Sequence, residues 1–141
     1  MRRVKQWRKW LALGLITACL WACGGDTRYV LIGTARAPST SGVIEVDDID
    51  GGSTLVTVHL EHLHPPNRVG DGFSHYVVWV EAGGGTPLWI GTLDYASEAR
   101  TGDLTGTSPA TEFVVKITAE QQPHPAAPGE FVIASRNVSV D

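Results

Sequence analysis

The chain has 141 residues, 43% of them hydrophobic, and a formal net charge of −4. Five of its eleven basic residues fall in the first ten positions, so residues 23–141 hold six basic against fifteen acidic residues, a formal charge of −9. That balance excludes a nucleic-acid-binding face, which needs a basic patch, and it excludes electrostatic docking on anionic lipid.

Taken from its start, the chain opens with Arg2, Arg3, Lys5, Arg8 and Lys9 and no acid, followed by an apolar run of twelve residues from Leu11 to Ala22. A basic segment followed by an apolar run within the roughly 7–15 residues of a signal peptide predicts export; the run is too short for a spanning helix. Leu20-Trp21-Ala22-Cys23, apolar then small then cysteine, resembles the lipobox of bacterial lipoproteins, although Trp21 is bulkier than usual there. Ile16-Thr17-Ala18-Cys19 is a competing match, but cleavage at Cys19 would shorten the apolar run to Leu11–Ala18, which is marginal against the roughly 7–15 residues usual there. Gly24-Gly25-Asp26 after Cys23 makes a flexible tether. The resemblance implies a signal peptide over 1–22, a lipidated Cys23 with its tether over 23–27, and a folded domain over 28–141. It also implies a cell-envelope location, anchored in membrane lipid through acylated Cys23. Gly24 rather than Asp after that cysteine points to the outer membrane in a diderm organism. Both cysteines are used up in this segment, so the domain must rely on its apolar core.

The rest of the chain carries period-two alternation broken by Gly, Pro, Asp and Asn clusters, which predicts strands. The first runs from Tyr29 to Arg36, and a short second from Val43 to Val46, before an acidic turn over 47–52. Ser53 to His62 alternates Val56, Val58 and Leu60 against Thr57, His59 and Glu61, and Pro65-Pro66 ends it. His75 to Glu81 and Leu88 to Tyr95 form a hairpin across Gly83-Gly84-Gly85. The polar, Gly-rich stretch 96–110 reads as loop or weak edge strand. Thr111 to Glu120 is a strand, 121–129 a proline-rich loop, and Phe131 to Val140 the last strand. Seven or eight short strands at this spacing predict an all-β, antiparallel, immunoglobulin-like sandwich.

Tyr76-Val77-Val78-Trp79-Val80, Gly83-Gly84-Gly85, Ile90-Gly91-Thr92-Leu93, and the strand-and-turn residues that follow to Ala134 resemble the extracytoplasmic β-sandwich of anti-sigma-K-type regulators. The likeness implies fold. It does not imply regulation, because a spanning helix and a sigma-binding part are lacking in the sequence read here.

Chemistry-bearing residues are sparse. His59, His62 and His64 cluster at a strand end, and in an extended chain His62 and His64 would point the same way. A transition-metal site on these three, with His75 or His124 as further ligands, is the alternative function. Asp47, Asp48 and Asp50 do not fit a calcium loop, because Val46 and Thr57 occupy its first and last positions. Gly106-Thr107-Ser108-Pro109-Ala110 lacks the second glycine of a nucleophile elbow, Ser74 and His75 are neighbours expected on opposite faces, and the glycine triplet precedes no phosphate-binding helix. Trp79 and Trp89 are expected between the sheets, with a binding surface as the second possibility. The reading is a non-enzymatic envelope module without cofactor, with an envelope protein as possible partner.

Overall fold

The computed structural model describes residues 27–140. The expected signal segment over 1–22, Cys19, Cys23 and the expected tether up to Asp26 lie outside the described residues, as does Asp141. Nine strands fold into two antiparallel sheets. They are β1 (Thr27–Ile32), β2 (Ser41–Ile49), β3 (Ser53–Glu61), β4 (His75–Glu81), β5 (Leu88–Thr92), β6 (Asp94–Ala96), β7 (Thr101–Ser108), β8 (Glu112–Glu120) and β9 (Val132–Ser139). One turn of helix, α1 (Pro66–Val69), starts on a proline whose missing N–H costs nothing at that position. Among the described residues no helix is long and apolar enough to cross a membrane.

One sheet has the order β1-β2-β3-β7-β6 and the other β5-β4-β8-β9. The predicted all-β sandwich is therefore observed, with nine strands rather than seven or eight. Leaving β1 aside, β2-β3-β7-β6 facing β5-β4-β8-β9 is the immunoglobulin-like arrangement, and β1 is an added edge. Val56, Val58 and Leu60 of β3 meet Phe113, Val115 and Ile117 of β8 and Tyr76, Val78 and Val80 of β4 in the core between the sheets. Each such buried side chain contributes roughly 1.5–3 kcal/mol, which lets 27–140 fold without a disulfide.

Four boundaries differ from the sequence reading, each for a nameable reason. β1 stops at Ile32, because Gly33 leaves β2 and bridges Ala134 of the other sheet. β2 runs on to Ile49, since only Asp50-Gly51-Gly52 turns, with both glycines at positive φ. The expected strand Leu88–Tyr95 is two strands in different sheets: Leu93 crosses between them, buried, its N–H donating to the Tyr76 carbonyl at 2.8 Å. Finally, β7 is no weak edge but an inner strand between β3 and β6. Its inward positions include Gly102 and Gly106, where a side chain would press on Leu63 and on the Ile90 carbonyl.

Candidate functional site

The connections are unequal at the two poles of the sandwich. At the pole where β1 begins, 50–52, 82–87 and 109–111 are short turns. At the opposite pole 33–40, 62–74 and 121–131 are long, and 97–100 joins them.

Three of these four loops meet around His64. The chain leaves β3 through His62 in the left-handed region at φ 55°, and Arg100 adopts the same φ at the entry to β7. They are the non-glycine residues with positive φ among those described, and such backbone costs on the order of 1–3 kcal/mol each. The two bends are tied together: the Leu63 N–H donates to the Arg100 carbonyl at 2.9 Å, while the Leu63 side chain is fully buried. Two tyrosines fix the segment from beneath, Tyr76 donating to the His64 carbonyl at 2.6 Å and Tyr95 to the Leu63 carbonyl at 3.0 Å. Burial pushes the Tyr76 hydroxyl far above the usual phenol range. Burial also raises that of Tyr95, with Arg100 pulling the other way. Both therefore remain donors at any physiological pH.

Above this floor, the Ser39 hydroxyl lies 3.3 Å from His64 Nε2, and Arg100 Nη2 lies 3.2 Å from both His64 ring nitrogens. A neutral imidazole has one acceptor nitrogen at a time, so the guanidinium nitrogen can donate to only one of the two. His64, Pro65, Arg68 and Arg100 line an open cleft of about 420 Å³. A larger cleft, about 520 Å³, lies at the turn pole between Tyr29, Glu81, Glu112 and Asn137. Size alone does not favour it, because no unpaired cation or constrained backbone converges there.

The three histidines singled out in the sequence are not brought together. His59 lies on the outer face of β3, its Nδ1 2.5 Å from Asp103 of β7, the residue directly across in register, and its Nε2 3.6 Å from Glu61. His62 is not extended, so the alternation that would align it with His64 is broken. His64 faces a serine and a guanidinium. Among the described residues, no group of three or more His, Cys, Asp or Glu is placed to hold a metal ion.

The hydrogen bond that His59 donates to Asp103, against a smaller opposing effect of burial, raises the His59 pKa above 6.5, and Glu61 adds to it. A raised folded-state pKa means that the stabilisation is complete below the unfolded value near pH 6.5 and disappears as pH rises through the folded one. Urea midpoints of the protein are therefore expected to fall across that window, and those of His59→Gln to be flat through it. Equal slopes in both would show that the pair contributes nothing.

Ser74 and His75 do touch, contrary to expectation, because Ser74 precedes β4 and alternation does not apply to it. The Ser74 hydroxyl lies 2.8 Å from His75 Nδ1, but its proton goes to the Gln121 carbonyl. Ser108 is buried and accepts from the Ala110 N–H, and Gly83–Gly85 is a hairpin turn. Asp47 and Asp48 are strand residues, with only Asp50 in the turn. Trp79 and Trp89 pair across β4 and β5 on the outer face of their sheet, not between the sheets. The loop 121–131 covers that face: Trp89 stacks on His124 at 4.0 Å and donates to the Pro123 carbonyl, as does Thr92.

Arg68 and Arg100 escaped the sequence reading. The available signal was economy: in so acidic a domain six cations are few, and one of them, Arg68, closely follows the histidine-rich segment, but only the fold brings Arg100 to the same cleft. Comparison with family models, with curated proteins and with solved structures gave no match.

Proposed function

We propose that the chain is a lipid-anchored bacterial cell-envelope protein, at the outer membrane in a diderm organism, whose sandwich is a non-catalytic recognition module. The observation that carries this is the inequality of the poles. From Cys23 to Thr27 is four residues, a span of at most about 14 Å when extended. An acylated Cys23 would hold the pole of short turns near the membrane and turn the long loops outward. In immunoglobulin-like domains one end gathers the loops that recognise partners, and here that end carries the constrained His62–Arg100 backbone.

The test uses the full chain in a diderm host, labelled with an alkyne fatty acid. Cys23→Ala is expected to lose label and membrane association, and Cys19→Ala to keep both. A fluorophore at Asp50→Cys is then expected to be quenched by a headgroup-bound quencher, and one at Asn67→Cys to be spared. Label retained in Cys23→Ala, or equal quenching at the two positions, would overturn the anchor and the orientation respectively.

A further inference from the structure

We infer that the cleft between Arg68, Arg100 and His64 is a binding site for a phosphate group. The argument begins with where the domain spends its few cations. Arg28 pairs with Glu45 at 3.4 Å and Lys116 with Glu81 at 3.5 Å. Arg36 donates to the Glu130 carbonyl and lies over Phe131, and Arg136 lies over the Tyr29 ring. Arg68 and Arg100 join Arg36 and Arg136 in forming no ion pair among the described residues, although over 23–141 acidic residues outnumber basic ones more than twofold; what sets them apart is that the Arg68 side chain has no hydrogen-bond or ring partner there and that Arg100 is turned to the His64 ring in the same cleft. They are 32 positions apart in sequence and line the same cleft. Like charges converging without a counter-ion repel one another, and an anion between them converts that repulsion into attraction.

The class of anion follows from the donors. Guanidinium presents a rigid fork of N–H groups that matches oxyanions in pairs. Two such forks carry two positive charges, which a phosphate dianion balances and a single carboxylate does not. The Ser39 hydroxyl stands at the rim beside His64 and donates to the His62 carbonyl at 3.5 Å, so the two guanidinium groups carry the recognition. The cleft, about 420 Å³ and open, admits a phosphate and part of the molecule that bears it. Arg100 has left-handed backbone, and its carbonyl accepts from the Leu63 N–H, while the Leu63 carbonyl accepts from Tyr95. The receptor is thus built before the ligand arrives, which reduces the ordering cost of binding. The acidic remainder of the surface repels free anions, so affinity comes from contact and not from steering.

This deepens the reading of the loop pole as a recognition surface. Its experiment is done in solution, so a failure here leaves the anchor and the orientation standing. The full chain in neutral detergent is titrated calorimetrically with inorganic phosphate, with glycerophosphoglycerol and with acetate. Saturable one-to-one binding of at least one phosphate compound is expected, weakened about tenfold or more in Arg68→Gln and in Arg100→Gln. Tighter uptake of inorganic phosphate is expected and identifies a monoester or free phosphate as the ligand, whereas tighter uptake of the diester, a monoanion like acetate, would overturn the charge-balance argument. Arg68 is exposed on α1, so its variant reports on binding even if Arg100→Gln perturbs its loop. Absence of saturable binding, equal binding in Arg68→Gln, or acetate bound as tightly as phosphate would overturn the assignment.

Discussion

Replacing Trp79 by alanine is expected to lower the unfolding free energy by about 3–5 kcal/mol, the range for truncating a fully buried aromatic. Such a cost is unexpected for a residue on the outward face of a sheet, and the loop 121–131 explains it. Trp79 is 1% exposed because that loop folds back over β4 and β5. Its indole N–H donates to Thr118 Oγ1 at 2.9 Å, Thr118 donates to Glu120 Oε1 at 2.7 Å, and the same oxygen accepts the Gly129 N–H at 2.7 Å. Glu120 is itself 8% exposed, so the chain of bonds is shielded from water and each unmade member would be costly. Alanine removes the ring that supports the loop and the donor that begins the chain. Urea unfolding should show the loss, and hydrogen exchange should show the Gly129 amide exchanging faster than those of β3. Trp79→Phe separates the contributions: it keeps most of the buried area and should cost only about 1–3 kcal/mol, for the Thr118 oxygen left without its donor. A loss below about 1 kcal/mol in Trp79→Ala would mean that the outer face is not a second core.

That second core also marks the limit of what the sequence made legible. Alternation is informative when one face is apolar and the other wet, and β3 and β8 satisfy this, so their core residues could be read directly. β4 is buried on both faces, and nothing local distinguishes Val77 and Trp79 under a loop from Tyr76 and Val78 between sheets. β7 alternates as well, but its inward positions include Gly102 and Gly106, which pattern reading takes for turn residues although they are small for reasons of packing. The break at Leu93 is tertiary, set by the sheet each half can join. At the candidate site, a histidine-rich strand end was visible, and its chemistry was not. The left-handed backbone of His62 redirects the chain, the register of β3 on β7 gives His59 to Asp103, and the loop before β7 delivers Arg100 to His64. Each of these is a long-range fact.

The substitution Gly33→Ala is expected to cost about 3 kcal/mol or more, the upper part of the range for forced overpacking. Gly33 lies where the two sheets are stitched together at the loop pole. It bridges Ala134, its N–H donates to the Thr40 carbonyl at 2.8 Å, and the next residue, Thr34, donates to Ile133 and Val132 carbonyls at 2.7 and 2.8 Å. A methyl group on Gly33 would be driven into the Ala37 carbonyl oxygen, with the Thr40 carbonyl 3.0 Å away on another side. Both obstacles are backbone, and the Ala37 carbonyl is held by the Thr40 N–H. No rotamer change relieves the clash, so the loop 33–40 must move. Because that loop brings Ser39 to His64, the damage should reach the proposed phosphate cleft as well as stability. Gly51→Ala supplies the control: Gly51 has φ +92° and nothing within 4 Å of an added Cβ, so only backbone strain of about 1–2 kcal/mol applies, at the far pole. Thermal melts of the two variants, with phosphate titration of each, separate crowding from strain. A Gly33→Ala protein as stable as the Gly51→Ala protein would show that the 33–40 loop is not the seam between the sheets, and that Ser39 is not held in place from there.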